Sequence, residues 1–430
     1  MSSFRKNIIL ALLNISGSAI PKNLREIKRV AQLDFNAAKK YQNRKLINLL
    51  RYCNEHVPYY KKIINQSRLL EKGSVNLKYF TDLPYLTKDI IRSQGRQLLS
   101  RQIRSGRHDN YTGGSTGEPL HFWQDQHYDD WNIANKIYYK TLAGQEIGEK
   151  ELRFWGSERD LLKDSESLKV RLINKFYNRR QFNTFKMSPA DMLSYVDGWN
   201  KYDPHWVEAY AQAIYELARF IKGKKLKIKS PRHGILTSAG NLYPDMKKTI
   251  EEVFRCPVYN RYGCREVGDI ACGKDKLHIS FWNQKIEIID NKVYVTNLNN
   301  YTMPFIRYQI GDLAQPGNNE FVLDKIIGRE LSVFKTKSGR LISGVFFAHF
   351  IGVVYNHGGI KQFQVIQKDY NRIVIKTVIG DKASFDAQKK NIEEIIKKEM
   401  ANNCQIQWQL VENIPPTKEG KFLYTIREIE

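Results

Sequence analysis

The first hundred residues carry apolar side chains at the three- and four-residue spacing of amphipathic helices. The spacing is clearest over residues 31–57, and a strong turn signal follows at Leu83-Pro84-Tyr85. Apolar positions that recur in this way occupy one face of a helix. The pattern therefore predicts a mostly helical N-terminal region.

The central part of the chain shows a different pattern, in which short apolar runs alternate with longer amphipathic segments. It predicts helices that begin after Ser188-Pro189 and that cover residues 207–221 and Pro244–Phe254. It predicts buried strands at Gly234–Ser238 and at residues 257–260. Strands and helices that alternate along a chain are typical of a mixed or parallel α/β sheet.

The last third of the chain returns to strand-like patterns. Alternating apolar positions flank Asp290-Asn291 and predict an antiparallel hairpin. Beyond Gly328-Arg329 the pattern predicts two strands within residues 361–379, a helix capped by Ser384 and a strand over residues 404–411. Such a set of elements favours a small α+β domain at the C-terminal end.

The length of 430 residues corresponds to two or three domains, at about 150 residues for each domain. The fold class predicted is α/β. A large N-terminal α/β body, with mixed sheets packed against helices, would span residues 1–328, and the small α+β domain would span residues 329–430. Hydrophobic residues at 42% and charged residues at 27% exclude a disordered chain.

The chain is strongly basic, with 69 Lys and Arg against 45 Asp and Glu and a net charge of +24. The densest run of positive charge consists of Lys222, Lys224, Lys225, Lys227, Lys229 and Arg232. Such an excess indicates a polyanionic partner such as nucleic acid, a phosphorylated ligand or anionic lipid. The alternative is a composition bias that leaves a solvated basic surface. No nucleic-acid-binding motif accompanies the charge, so a nucleic-acid partner is not expected.

Five cysteines are scattered along the chain without a Cys-x-x-Cys pair, which indicates a reducing compartment. Cys264, Cys272 and His278 lie close enough in sequence to form part of a zinc site. A structural zinc ion takes four ligands, and a second ligand pair is missing from this region. The zinc site therefore stays a minor alternative.

The N-terminal segment has an amphiphilic character of its own. Arg5 and Lys6 precede an apolar run over residues 8–13, which resembles a short signal sequence, but Asn14 interrupts the run. No stretch of about 18 apolar residues exists that could span a bilayer. We expect a first helix that packs on the large domain or rests at a membrane interface.

The sequence Tyr-Thr-Gly-Gly-Ser-Thr-Gly-Glu-Pro over residues 111–119, named here the glycine loop, is a candidate phosphate-binding segment. Glycines allow backbone N–H groups to converge on an anion, and the Ser and Thr hydroxyls supply further donors. The loop lacks Gly-Lys-Ser/Thr, and the strand-like segment from Leu120 follows it, so it differs from a P-loop. An ordinary turn is the alternative.

Four further motifs follow the glycine loop in order along the chain. They are Tyr262-Gly-Cys-Arg-Glu266, Arg307-Tyr-Gln-Ile-Gly-Asp312, Gly328-Arg329 and Pro415-Pro-Thr-Lys-Glu-Gly-Lys421. This series resembles the adenylate-forming superfamily, over residues from about 110 to 425. Within that superfamily the chain looks most like phenylacetate-CoA-ligase-like and CapK-type capsular polysaccharide biosynthesis proteins.

The resemblance implies that the matching residues bind ATP. The β- and γ-phosphates would be held by Thr112, Gly113, Gly114, Ser115, Thr116 and Gly117. The adenine would lie against Tyr262, with Asn260 also at the nucleotide and with a strand-end backbone on the other side formed by Ser238, Ala239 and Gly240. Asp312 would accept hydrogen bonds from both ribose hydroxyls, and Arg329 would contact ribose or phosphate.

The resemblance also implies three catalytic residues, Lys421, Glu266 and Thr116. Glu266 and Thr116 would hold Mg²⁺, which takes oxygen ligands. Lys421 would bridge the substrate carboxylate and the α-phosphate and neutralise charge during attack. The residues have plain structural interpretations as well: Tyr262 as a core aromatic, Asp312 as a turn residue and Glu266 as a helix-start charge.

The hinge motif departs from that of acyl-CoA synthetases. Where those proteins have Gly-Arg-x-Asp, this chain has Gly328-Arg329-Glu330-Leu331. Use of CoA in a second half-reaction therefore stays open. Residues 155–159 and 208–212 lie in the region that builds acyl pockets in the superfamily, and Arg159 is a candidate partner for an anionic substrate.

The function implied is that of an ATP-dependent carboxylate-activating ligase, a cytoplasmic or inner-membrane-peripheral enzyme of surface-polysaccharide biosynthesis. It would form an acyl-adenylate and pyrophosphate with ATP and Mg²⁺, and would then transfer the acyl group to a thiol, with CoA as one option, or to an amine. The basic surface would face anionic membrane or an acidic glycan precursor. Two alternatives are an adenylyl transferase acting on a hydroxyl and a non-catalytic nucleotide-dependent binding protein.

Overall fold

The structure is a computed structural model of the 430-residue chain. The residues that it describes are 2–71, 73–111, 120–155, 168–184, 187–240, 242–329, 333–342, 347, 351, 359–400, 404–415 and 423–429. Residues 112–119 of the glycine loop, Arg159 and Lys421 therefore lie outside the described residues.

The chain divides into two compact units. The first unit consists of Met1–Ile310 and Pro316–Lys325, and the second consists of Gly311–Gln315 and Ile326–Glu430. The functional boundary predicted after residue 328 stays a prediction.

The helices of the described residues are α1 (Ser2–Ile15), α2 (Ile20–Val30), α3 (Phe35–His56), α4 (Pro58–Gln66), α5 (Lys88–Leu98), α6 (Gln126–Leu142), α7 (Leu168–Phe176), α8 (Pro189–Tyr202), α9 (Ala211–Lys224), α10 (Pro244–Phe254) and α11 (Lys382–Glu399). A 3₁₀ helix covers Leu77–Asp82. None of these described helices is long and apolar enough to cross a bilayer.

The strands are β1 (Leu70–Glu71), β2 (Ser74–Val75), β3 (His108–Tyr111), β4 (His121–Gln124), β5 (Glu151–Phe154), β6 (Arg179–Phe182), β7 (Trp206–Tyr210), β8 (Gly234–Ser238), β9 (Val258–Cys264), β10 (Gly268–Gly273), β11 (Leu277–Ile279), β12 (Gln284–Ile289), β13 (Lys292–Asn297), β14 (Tyr308–Pro316), β15 (Val322–Arg329), β16 (Phe334–Lys335), β17 (Leu341–Ile342), β18 (Ile360–Asp369), β19 (Arg372–Ile379), β20 (Gln405–Leu410) and β21 (Thr425–Arg427).

The N-terminal region is helical, as the spacing of its apolar residues predicts. The side chain of Asp34 caps α3 by accepting a hydrogen bond of 2.9 Å from the amide of Ala37. Apolar residues of α2 and α3 pack with α6 and with Phe281 and Trp282 in one buried cluster. Burial of this shared face holds the helical region against the sheet.

An eleven-stranded sheet organises the larger unit, in the order β12-β13-β14-β15-β11-β10-β9-β8-β7-β5-β6. Its β6-β5-β7-β8-β9 half is parallel. Helices α8, α9 and α10 alternate with these strands and bury their apolar faces against them. The predicted α/β fold class is confirmed.

The helix predicted over residues 207–221 is wrong at its start. Residues Trp206–Tyr210 form strand β7, and α9 begins only at Ala211. Strand β7 lies between β5 and β8, pairs with both, and has both faces covered. An apolar run buried in this way has no alternation that would separate it from the helix that follows.

Two local turn predictions are confirmed. Ser188 caps α8 in a reciprocal capping box with Asp191. Asp290 and Asn291 join β12 to β13 with φ values of +50° and +63°, as the favoured two-residue hairpin turn requires.

The second unit contains a four-stranded sheet in the order β20-β19-β18-β21, with α11 packed on it. Strands β18 and β19 form the predicted antiparallel pair. The predicted cap of the following helix is wrong by three residues. Asp381 is the N-cap, and its carboxylate accepts a hydrogen bond of 2.8 Å from the amide of Ser384. A carboxylate three residues before a free helix N–H is a strong cap, which explains the shift.

Candidate functional site

The described part of the candidate site lies at the carboxyl ends of the parallel strands. Strand β8 ends at Ser238, and Ala239 after it adopts a left-handed conformation with φ of +58°. Alanine rarely adopts this conformation, and such strain is concentrated at functional sites. Asn260 on the next strand pairs with Thr237 at the end of β8. The predicted strand-end backbone and Asn260 are therefore neighbours in space.

The predicted Tyr262 lies on β9 and the predicted Glu266 lies in the turn between β9 and β10, and both residues are buried. A Cβ atom on Gly263 would overlap the carbonyl oxygen of Gly268 across this turn. The glycine of the motif is thus required for close approach of two backbones. Glu266 lies in this hairpin turn, so its interpretation as a helix-start charge is wrong.

Hydrogen bonds tie this turn to the strands that flank the glycine loop. Strands β3 and β4 pair so that Tyr111 lies opposite His121, on either side of the loop. The side chain of Gln124 donates to the carbonyl oxygens of Arg265 at 3.1 Å and Glu266 at 3.3 Å. Arg265 in turn donates from Nη1 to the carbonyl oxygen of Tyr111 at 2.8 Å. The structure therefore brings the first two motifs together, although they lie about 150 residues apart in the sequence.

The carboxylate of Glu266 is anchored from one side. The hydroxyl of Tyr308 donates to its Oε1 atom at 3.1 Å, and the side chain of Glu266 is buried. A carboxylate that is fixed in this way suits Mg²⁺, which is often bound by one or two carboxylates together with phosphate oxygens.

A network of buried ion pairs crosses the parallel strands beneath the site. Arg261 on β9 pairs with Glu208 on β7 at 2.8 Å, and its Nε donates to Ser238 Oγ at 3.3 Å. Glu208 also pairs with Arg153 on β5 at 2.9 Å, and Arg153 pairs with Glu151 at 2.9 Å. The network thus fixes Arg261 and, through it, the end of β8.

Burial and charge act against each other in this network. Burial alone would raise the pKa of Glu208, but Arg153 and Arg261 hold that pKa well below its ordinary value. Burial lowers the pKa of Lys140 to about 8, against the attraction of Glu151 and Glu208. Glu208 was expected in a region that lines acyl pockets, and the structure instead places it among these ion pairs.

A cavity of 510 Å³ adjoins the β3–β4 hairpin. The residues that line it are Ile103, Arg104, Arg107, His108, Asp109, His121 and Trp123. The rings of His121 and Tyr111 stack with centroids 4.4 Å apart. Arg104 pairs with the buried carboxylate of Asp125 at 2.9 Å, so Arg107 is the guanidinium of this lining that better suits an anionic ligand near the glycine loop.

The remaining predicted residues belong to the second unit or lie outside the described residues. Asp312 is buried on β14 within the second unit, and Arg329 is the last residue of β15. Thr112, Gly113, Gly114, Ser115, Thr116, Gly117 and Lys421 lie outside the described residues. The roles of all these residues stay predictions.

Arg307 has a structural role that the sequence pattern did not indicate. Arg307 donates from Nε to both carboxylate oxygens of Glu287, at 3.2 and 3.1 Å. Its Nη1 also donates to the carbonyl oxygens of Thr81 and Leu83. This buried arginine therefore clamps the N-terminal helical region to the β12–β13 hairpin. The roles of Gln124, Arg261 and Tyr308 were not indicated by the sequence either, because their partners are far away along the chain.

The zinc site suggested by Cys264, Cys272 and His278 is not formed. Among the described residues, a group of three potential ligands at metal-binding distances occurs only at Glu149, His205 and His233.

Residues 334–428 match the family model of the CapK C-terminal domain. Protein CapK from Staphylococcus aureus is 25% identical to this chain, and the alignment covers 94% of this chain and 92% of the relative. The resemblance to CapK-type proteins that the motifs indicated is confirmed, and it extends along nearly the whole length.

Solved structures show the same fold. A 2-hydroxyisobutyryl-CoA ligase in the postadenylation state, in complex with R3-HIB-AMP, has a TM-score of 0.67 at 15% identity over 92% of this chain and 90% of that chain. An ATP-bound RpMatB-BxBclM chimera has a TM-score of 0.50 at 12% identity over 73% of this chain and 66% of that chain. The chain therefore has the fold of the adenylate-forming ligases.

Proposed function

We propose that this protein is an ATP-dependent carboxylate-activating ligase. The observation that carries the proposal is the set of hydrogen bonds between Tyr111, Gln124, Arg265 and Glu266. These bonds set the strands that flank the glycine loop beside the β9–β10 hairpin that bears Tyr262 and Glu266. Glu266, a carboxylate suited to Mg²⁺, then lies beside the strands that flank a sequence suited to phosphates, at the edge of the sheet where α/β proteins bind their ligands.

In this proposal each group supplies binding, orientation or charge. The glycine loop holds the β- and γ-phosphates, and Glu266 and Thr116 are the residues that would hold Mg²⁺. Tyr262 lies against the adenine, and Asp312 and Arg329 bind the ribose side. Mg²⁺ would neutralise charge on the leaving pyrophosphate. Lys421 draws the substrate carboxylate to the α-phosphate, so that positioning and charge neutralisation supply most of the catalysis.

The acceptor in the second step is a thiol or an amine. The structural similarity to a CoA ligase supports CoA as the acceptor. The hinge motif Gly328-Arg329-Glu330-Leu331 differs from that of acyl-CoA synthetases, so an amine acceptor is equally compatible with the sequence. Similarity to Protein CapK supports a role in surface-polysaccharide biosynthesis, with a carboxylate carried by, or destined for, a glycan precursor. This reaction would take place in the cytoplasm.

We also propose that the protein rests on the inner face of an anionic membrane. Helix α1 exposes a stripe of apolar side chains formed by Phe4, Ile8, Leu12 and Ile15. A groove of 800 Å³ beside α3 is lined by several cations, among them Arg29, Lys39, Lys40, Arg44 and Arg51. Apolar and cationic surfaces of this kind together favour anionic bilayers.

The ligase proposal is tested by ATP–pyrophosphate exchange across a panel of carboxylic acids. Exchange that requires a carboxylate supports the proposal. A stable adenylylated hydroxyl product would support an adenylyl transferase in its place. ATP binding without any exchange would support a nucleotide-dependent binding protein.

The membrane proposal is tested by sedimentation with anionic and neutral vesicles at two salt concentrations. We expect binding to anionic vesicles that weakens at high salt and on Phe4→Ser with Ile15→Ser. Binding that is indifferent to lipid charge and salt contradicts the electrostatic part of the proposal.

A further inference from the structure

Three potential metal ligands meet at the amino ends of three neighbouring parallel strands. Glu149 lies just before β5, His205 directly precedes β7, and His233 directly precedes β8. The backbone ladder continues into this edge: the amide of His205 donates to the Lys150 carbonyl, and the amide of His233 donates to the His205 carbonyl, both at 2.9 Å. The sheet therefore sets the spacing of the three residues.

The side chains face one another at short distances. His205 Nδ1 lies 3.3 Å from Glu149 Oε1, and His233 Nε2 lies 2.9 Å from Glu149 Oε2. Ligand atoms about 2.1 Å from a tetrahedral ion lie about 3.4 Å from one another. With one ligand atom taken from each residue, the three atoms all lie within 4.8 Å of one another, so an ion at their centre requires movement of side chains only.

The cluster contains an unsatisfied atom. His233 Nε2 is buried and makes no hydrogen bond to any described residue, although Glu149 Oε2 lies only 2.9 Å away. The side chains of Glu149, His205 and His233 are all at least three-quarters buried. A buried ring nitrogen that lies 2.9 Å from a carboxylate oxygen, outside hydrogen-bonding geometry, is available as a metal ligand.

The loop that carries Glu149 is held in place by its neighbours. The amide of Glu146 donates to Glu149 Oε2 at 2.9 Å, and Lys6 of α1 pairs with Glu146 at 2.6 Å. Arg5 packs its aliphatic stem against Gly148, since a Cβ there would lie 2.7 Å from Arg5 Cγ. The carboxylate is thus preorganised before any ion binds.

We propose that Glu149, His205 and His233 bind a divalent transition-metal ion, of which Zn²⁺ is the best match. Two imidazoles and one carboxylate suit Zn²⁺ and disfavour Mg²⁺ and Ca²⁺, which take oxygen ligands. The fourth position is left for water. Strand β8 starts beside His233 and ends at Ser238, which places the ion about 16 Å from the nucleotide edge at about 3.3 Å for each residue.

Three protein ligands and one water are the coordination of an open zinc site, unlike the four protein ligands of a closed structural site. The position of the ion also allows it to stabilise the sheet. An ion held by residues that precede β5, β7 and β8 cross-links three strand ends that are far apart in the sequence. Without the ion, backbone hydrogen bonds hold these ends side by side. Binding to the folded state alone raises the melting temperature. The ion is separate from the Mg²⁺ of the proposed ligase reaction.

The test is calorimetric titration of Zn²⁺ into the metal-free full-length protein in excess Mg²⁺, with His233→Gln, Glu149→Gln and the control His278→Ala. We expect one Zn²⁺ for each chain, affinity weakened more than about tenfold in the first two variants, and unchanged affinity in the control. Circular dichroism checks that each variant is folded.

The visible spectrum of bound Co²⁺ provides a second readout. An intense visible spectrum, as expected for Co²⁺ of low coordination number, supports the site if it is lost in His205→Asn. A weak octahedral spectrum, no saturable Zn²⁺ binding, or binding that His278→Ala removes would overturn the proposal.

Discussion

The two edges of the parallel half-sheet are built in different ways. At the carboxyl edge, Glu266 and the strands flanking the glycine loop are tied through Gln124 and Arg265, mostly by hydrogen bonds to backbone carbonyls. At the amino edge, the side chains of His205 and His233 contact the carboxylate of Glu149 directly. The first arrangement joins distant segments through backbone carbonyls, whereas the second gathers three potential metal-binding side chains at one place.

The buried ion network between the two edges should have the largest effect on stability. Glu208→Gln removes the carboxylate that Arg153 and Arg261 share and should lower the free energy of unfolding by about 3–5 kcal/mol. Chemical denaturation measures this change. The exposed pair of Glu252 with Lys222 supplies the control Glu252→Gln, which should change little. An equal effect of both variants would show that the network does not support the sheet.

The same network predicts acid sensitivity. Because the folded pKa of Glu208 is lowered, its contribution is complete above the unfolded value of about 4.3 and is lost as pH falls towards the folded value. The unfolding free energy of the wild type should therefore drop more steeply below about pH 4.3 than that of Glu208→Gln. Parallel curves would contradict this assignment.

The lysine proposed to act in the first step should have the largest effect on chemistry. Lys421→Ala should slow adenylate formation by about 100-fold or more, because a charge that balances the reacting groups is removed. Single-turnover formation of the adenylate measures the rate, and Lys418→Ala from the same segment is the control. Unimpaired formation in a folded Lys421→Ala protein would show that this lysine does not act in the first step.

The turn that carries Glu266 can be tested through its glycine. Gly263→Ala forces a methyl group against the carbonyl of Gly268 and should cost about 1–3 kcal/mol of stability together with exchange activity. Gly95→Ala is the matched control, because Gly95 lies in helix α5 with no atom near its Cβ position. That control should be neutral or stabilising. Chemical denaturation measures the loss of stability in each variant, and ATP–pyrophosphate exchange measures the loss of activity.

The smallest effect is expected at the anchor of Glu266. Tyr308→Phe removes one hydrogen bond to the carboxylate and should reduce exchange about fivefold, equivalent to about 1 kcal/mol. Tyr60→Phe removes a buried hydroxyl bound to the Pro304 carbonyl instead, and should leave exchange unchanged. If both variants retain full exchange, Tyr308 does not position Glu266 for the reaction.

Local chemistry accounts for what could be predicted from the sequence. Ser188 with Asp191 determines where α8 starts, and Asp290-Asn291 determines a tight turn, because each depends only on residues within a few positions. Strand β7 was misread because its burial comes from β5 and β8, whose pairing no neighbour in sequence reports. The cap at Asp381 was missed by three residues for a local reason, since Ser384 is also a good cap.

The sequence by itself determined the fold class, the order of the motifs and the kinds of side chain available for phosphate and magnesium binding. Tertiary structure alone decided which of these groups meet. Parallel pairing aligns the ends of strands that are far apart in the chain, and it thereby sets Glu149 beside His205 and His233, 56 and 84 residues away. Tyr111 meets Arg265 in another way, because β3 and β4 form a separate two-stranded sheet that a side-chain hydrogen bond from Arg265 ties to the turn after β9. In both cases the contacting residues are far apart in the sequence, so no local pattern can report that they meet.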